Sequence, residues 1–303
     1  MIHFCTVADD RYGRKKGIYA STQKKIYERL SSMQLDIDKF TMWQWKDIQA
    51  SSHYKNFKSM LDNPDPARNG RLYKPLLIKS VIEEVPMGGY VIYNDVSPEM
   101  WQNFFAIGDI NDDYFSAKVL AALCDSNNGI FTLHTWYDDP PRGNWTVDLL
   151  GHHTHDNFTN ESCIRIMKAE KYRHSMQHCT GLVVVKKTPD TLDFLDEWIF
   201  YNSMPECGGL GVERDPSSDF SLCPSKKLGH RHDQSVSGIL INKRNGNICK
   251  KLGNRQLLPI NEHNFLNFCQ KNTPYHFIDS NVSPEPHKFF FRLPEGGVKT
   301  MLK

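Results

Sequence analysis

The chain has 303 residues, 39 % apolar and 12 % aromatic, enough for one large α/β domain or two small ones and too apolar for a disordered chain. Lysine plus arginine total 37 against 35 aspartates plus glutamates, a balance that argues against a dedicated nucleic-acid binder, which carries a strongly basic face. No apolar run approaches the roughly 18 residues of a membrane span, and the start MIHFCTVADDRYG lacks the features of a signal peptide. Eight scattered cysteines without a CxxC pair read as reduced thiols, which suits a cytoplasmic protein. Four Asn-x-Ser/Thr sequons, at Asn144, Asn157, Asn160 and Asn281, read as chance occurrences in that setting.

In chain order, Ile2 to Val7 reads as a short buried strand, opening into a polar loop to Lys16 and a helix around Thr22 to Leu30. Ser51 to Arg71, rich in Asn, Asp, Pro and Gly, reads as a loop with a short helix. From Pro75, which suits a first helical turn, Leu76, Leu77, Val81, Ile82 and Val85 form an apolar face at helical spacing. Pro86 and the Gly88-Gly89 pair end that helix. A β-rich run, Tyr90 to Tyr93, follows and meets Asn94 and Asp95 at once. Trp136 to Asn144 and Cys207 to Leu228 read as long loops. Leu182 to Val185 is a second aliphatic strand, then Thr188 as cap, Pro189 at the first helical position, and a helix burying Leu192, Phe194, Leu195 and Trp198. Gln234 to Asn242 is a further helix. Alternating strands and helices make the fold class α/β.

Asp95 stands at the carboxyl end of a buried strand, where open α/β sheets bind ligands. A carboxylate there can hold a ribose hydroxyl or a divalent metal; an ordinary turn aspartate before Ser-Pro is the plain alternative. His230 to Ser235 places charge and imidazole at a helix start, with Asp233 or Ser235 as cap. Lys74 is either a phosphate contact or a surface lysine. His152, His153, His155 and Asp156 suggest zinc, but their spacing matches neither HxHxDH nor HExxH, so a solvated loop is the simpler reading. The chain lacks GxxxxGK[ST], a GxGxxG after the first strand, and GxSxG, which removes the P-loop, dinucleotide and α/β-hydrolase readings.

Taken in order, these pieces resemble a family of GT-A-type glycosyltransferases found in bacteria and large viruses, distantly similar to glycogenin. Its members carry a "WKP" element, a helix, a "vlYlDaG" strand and a later "HRhDQS" element. The matching stretches are Tyr73-Lys74-Pro75, Val91 to Ser97 and His230 to Ser235. Thr180-Gly181 before Leu182 to Val185 looks like the "NaG" strand, and Gln234 to Asn242 like "DQgxLN". The resemblance spans roughly residues 1 to 245. Two departures stand out: Ser97 occupies the place of the second acid of a DxD, and Cys179 that of the "NaG" asparagine.

The resemblance implies a GT-A fold, a Rossmann-like, mostly parallel sheet flanked by helices. It implies a single domain over 1–303, with a nucleotide-sugar-binding half at 1–110 and an acceptor-binding half with a C-terminal extension at 111–303. Thr6, Ala8 and Tyr12 would flank the donor's base. Lys74 would face its phosphate or sugar, and Tyr93, Asn94 and Asp95 would line the donor site, Asp95 on the ribose or a metal. Thr180 and Gly181 would line the sugar pocket, and Asp233 and Gln234 would lie near the anomeric carbon. His276 or His287 would supply a late metal ligand. The cofactor expected is Mn2+ or Mg2+, put in question by Ser97; the partners are a nucleoside diphosphate sugar and a glycan or glycoprotein acceptor, with no nucleic acid. The expected location is the cytoplasm, the host's if the protein is viral. Two rivals remain open: a metal-dependent phosphoesterase using the His/Asp clusters, and a nucleotide-sugar-binding module without catalysis.

Overall fold

A computed structural model describes residues 1–11, 17–32, 36–63, 69–96, 117–134, 154–175, 177–209 and 230–246. The sheet has five strands: β1 (Ile2–Ala8), β2 (Lys39–Gln44), β3 (Tyr90–Asn94), β4 (Ile130–His134) and β5 (His178–Lys186). Their order is β2-β1-β3-β5-β4. β1 pairs in parallel with β2 and β3, whereas β5 runs antiparallel to both β3 and β4. The class is therefore α/β with a mixed sheet in which β5 alone is reversed. The sequence reading missed β2 and β4: β2 is a half-exposed edge, and β4, IFTLH, is broken by Thr132 and ends on His134, so it offers no continuous apolar run.

Strand alternation builds two cores. On one face Cys5, Val7, Val91, Tyr93, Val183 and Val185 pack against α4 (Tyr73–Glu84), α8 (Pro189–Ser203) and α10 (Asp233–Asn245). On the other, Ile2, Phe4, Ala8, Ile92, Leu182 and Val184 meet α1 (Ile18–Ser32) and α5 (Ala117–Ser126). Central strands covered on both sides are largely apolar; β1 is buried throughout its seven residues, and its polar members His3 and Thr6 are hydrogen-bonded to Thr41 and Gln23.

Among the remaining helices are α2 (Trp45–Ala50), α3 (Tyr54–Leu61), α6 (His155–Phe158), α7 (Glu161–Ile166) and α9 (Pro205–Gly208). α8 starts as its sequence indicates: the Thr188 hydroxyl accepts from the Thr191 amide, with Pro189 first in the helix. α10 ends on Gly246 at φ 64°, the left-handed cap that glycine supplies without strain. Its start corrects the sequence reading. Neither Asp233 nor Ser235 caps it; His232 occupies the cap position at φ 50° and ψ −114° with no side-chain cap bond, and Asp233 is the first helical residue. Among the described residues no helix is long and apolar enough to cross a membrane.

Candidate functional site

Because β5 runs opposite to β3, its amino-terminal end lies beside β3's carboxyl end. Leu182 pairs with Asn94, and the Asp95 amide donates to the Gly181 carbonyl at 2.8 Å. On its other side β5 slips register against β4, Thr132 facing Val183 while Leu133 faces Cys179. Such an irregularity re-aims the residues within it, here Thr180 to Leu182. The first turns of α4 and α10 reach the same place, contributing Lys74 and Asp233.

These four segments meet on one ammonium. Lys74 is fully buried, and its Nζ lies 2.8 Å from Asp233 Oδ2 and 3.2 Å from Asp95 Oδ2. It also donates to the Thr180 carbonyl at 3.0 Å and hydroxyl at 3.1 Å. The Thr180 hydroxyl in turn donates to Asp233 Oδ2 at 2.5 Å, and the Tyr93 hydroxyl to Asp95 Oδ1 at 2.6 Å. A buried ammonium persists only when paired and hydrogen-bonded, and here four protein oxygens share its three protons. Lys74 is thus not the surface lysine that the sequence left as the alternative. Burial works to raise the Asp233 carboxyl's pKa, but Lys74 and Arg71 outweigh it and hold it below the usual range. Burial and then Asp95 push the Tyr93 phenol well above its ordinary value, which keeps it a donor.

Asn94 is fully buried, and its Nδ2 donates to the Asp95 carbonyl at 2.7 Å. Its Oδ1, and the Nε2 of Gln234, are two of eight buried side-chain atoms with no partner among the described residues. Thr6 and Ala8 lie buried on β1, and the Thr6 hydroxyl is taken by Gln23 Nε2 at 2.7 Å. Tyr12, Ser97, His276 and His287 lie outside the described residues.

Sequence reasoning overlooked Arg71. It is half-buried, two residues before α4, at φ 53°. The Asn69 side chain fixes that conformation by accepting from the Arg71 amide at 2.8 Å. Burial works to lower its pKa, but Asp233, Tyr73 and Asp95 raise it instead. The Asn-Gly pair ahead of it, a turn signature, was the signal available in the sequence.

The histidine groups serve other purposes. His230 accepts the Asn160 amide at Nδ1 (3.1 Å) and bonds the Cys207 carbonyl through Nε2 (2.6 Å). His232 Nδ1 meets the Gly208 carbonyl at 3.1 Å. Burial, followed by His230 and Arg71, pushes His232 well below its usual pKa, so it stays neutral. His155 is buried, its Nδ1 on Thr159 and its Nε2 on Asn242, which also meets His178. Asp156 instead pairs with Arg173 at 3.0 Å. His155 and Asp156 therefore belong to separate networks, and His152 and His153 lie outside the described residues.

A divalent metal on Asp95 is a poor fit to this donor set. Both carboxylate oxygens are engaged, one by Lys74 and one by Tyr93. Among the described residues no group of three or more His, Cys, Asp or Glu side chains could hold a metal ion.

No protein-family model, curated protein or solved structure matches the chain.

Proposed function

We propose that the chain is a glycosyltransferase that takes a sugar from a nucleoside diphosphate sugar and passes it to a glycan or glycoprotein acceptor, on a GT-A-type arrangement. The observation that carries this reading is the meeting of Lys74, Asp95, Thr180 and Asp233, from four separate segments, within hydrogen-bond reach of one another at β3's carboxyl end. All four are candidate donor-site or catalytic positions in the sequence. The unpaired amide atoms of Asn94 and Gln234 next to them support a polar ligand.

Sugar transfer passes through an oxocarbenium-like centre and a departing diphosphate, so positive charge on carbon and negative charge on oxygen both need stabilising. A carboxylate kept ionised by Lys74 and Arg71 is a weak proton acceptor. Asp233 is therefore better suited to the electrostatic role, facing the positive carbon, than to deprotonating the acceptor. The hydrolase alternative loses support, since His155 and Asp156 are each engaged in a separate network.

The test is thermal unfolding against a panel of nucleosides, nucleoside diphosphates and nucleotide sugars. A ligand at about 100 times its dissociation constant adds roughly 2.7 kcal/mol. One nucleotide sugar should raise the melting temperature and its free sugar should not. A panel that leaves the protein unmoved contradicts the proposal.

A further inference from the structure

The Lys74 cluster contains two acids and, beside them, two bases. Lys74 is wholly consumed by four protein oxygens. Arg71 is not. Among the described residues its guanidinium makes no hydrogen bond and no ion pair, although it feels the charges of Asp233 and Asp95. The half-buried guanidinium is not among the buried polar groups that lack a partner, so its donors face solvent, where a ligand can reach them.

The backbone around Arg71 is built to keep it there. A non-glycine residue at φ 53° is costly and persists only where its surroundings enforce it. Three contacts do so. The Asn69 side chain holds the Arg71 amide. Asn202 Nδ2 donates to the Gly70 carbonyl at 2.7 Å. Gly70, at φ 60°, lies so close to Gly208 that a Cβ would stand 2.6 Å from its carbonyl oxygen. The same Gly208 carbonyl bonds His232, next to Asp233. The turn carrying Arg71 and the start of α10 are thereby braced against one strut, α9.

We propose that this site supplies its own cations: the Lys74 ammonium stands where a divalent metal would bridge Asp95 and Asp233, and the Arg71 guanidinium grips the ligand's phosphate or diphosphate. The inference deepens the transferase reading and rests on it for the ligand's class. The charges are consistent with it. Lys74 and Arg71 together offset the two carboxylates, so the cluster keeps no net negative charge to hold a divalent ion. A diphosphate meets a guanidinium whose planar donors suit its oxygens. Ser97 in place of a second acid agrees with a centre that does not rely on metal.

The experiment is calorimetric titration of inorganic pyrophosphate in EDTA, and separately of Mn2+ alone, into the wild-type protein, Arg71→Gln, Arg71→Lys and the control Lys79→Gln, a lysine paired with Asp196 outside the cluster. Pyrophosphate should bind the wild type in EDTA. Arg71→Gln should weaken it at least about tenfold, the scale of a charge-assisted bond. Arg71→Lys should keep part of the affinity and Lys79→Gln all of it, while Mn2+ alone gives no binding. If Arg71→Gln does not fold, Arg71→Lys carries the comparison, and undiminished affinity there overturns the proposal. So does undiminished affinity in Arg71→Gln, failure of the wild type to bind pyrophosphate in EDTA, or Mn2+ binding that Asp95→Asn abolishes. The two readings fail separately. A nucleotide sugar that stabilises the protein while pyrophosphate ignores Arg71 sinks the anion site alone. Arg71-dependent pyrophosphate binding in a protein that no nucleotide sugar stabilises sinks the transferase alone.

Discussion

Lys74 is both a structural and a chemical residue, and single substitutions should separate the roles. Lys74→Met removes the cation and leaves Asp233 buried beside Asp95 with no ammonium between them. Breaking a buried pair in this way costs about 3–5 kcal/mol, so urea unfolding should show a loss of that size. Thr180→Val deletes one hydroxyl that both accepts from Lys74 and donates to Asp233. Its loss should be smaller, about 1–3 kcal/mol, the range for one buried partner removed; a change below the resolution of the melt would mean that the hydroxyl is dispensable. His232 invites the opposite experiment. Its φ of 50° suits glycine better than histidine, yet its ring holds the Gly208 carbonyl. His232→Gly therefore relieves strain and removes a brace at once, and its effect on stability should be small beside that of Lys74→Met.

At the scale of elements, α10 is the keystone. It is buried along nearly its whole length and touches β5, α8, α9 and α6. Gly238 lets it approach that closely: a Cβ there would stand 3.0 Å from His155 Cε1 and 3.3 Å from the His178 amide. Gly238→Ala should lower the melting temperature by pushing α10 off β5, and it should weaken ligand binding too, because Asp233 moves with the helix; a variant that binds as tightly as wild type would show the site to be independent of that packing. The same elements mark how far the sequence could be read. The helices after Pro75 and Thr188 were legible because local signals, a first-turn proline, a capping threonine and an apolar stripe, agree with their environment. β3 and β5 were legible as apolar runs. Their relative direction was not, since a run covered on both faces reads alike either way, and the antiparallel course of β5 is what sets Thr180 beside Asp95. Asp95, Asp233 and Thr180 could be named as candidates one by one. Lys74 could be named beside them, but its full burial was hidden because a lysine ahead of a helix ordinarily faces solvent. Arg71 was hidden because its significance lies in a backbone turn held by Asn69, Asn202 and Gly208.

Over the whole molecule, a polar seam runs behind α10. Thr132 meets His178, His178 meets Asn242, Asn242 meets His155, and His155 meets Thr159, on which Gln177 also donates. Burial pushes the His178 pKa down from 6.5 to about 4. The unfolded chain therefore binds a proton at this residue between those values while the folded chain does not, so stability falls as pH drops from 6.5 to 4 and levels off below. The contribution is on the order of 3 kcal/mol. Asp233, held low, adds a further loss in more acidic solution, below the ordinary carboxylate value. Urea unfolding at pH 7 and pH 5 should show the drop, and His178→Gln should flatten it; a slope unchanged by that variant would place the acid sensitivity elsewhere.

On the proposed reading, Asp233 and its neighbours around Lys74 transfer a sugar from a nucleoside diphosphate sugar. The most direct measurement is release of the nucleoside diphosphate from each of a set of nucleotide sugars, with water as the default acceptor, by the wild type and by Asp233→Ala. One donor should be cleaved by the wild type, and the variant should be slower by about 100-fold or more, the scale of a lost preorganised charge. Cleavage of no donor, or a variant that turns over at the wild-type rate, would contradict the account.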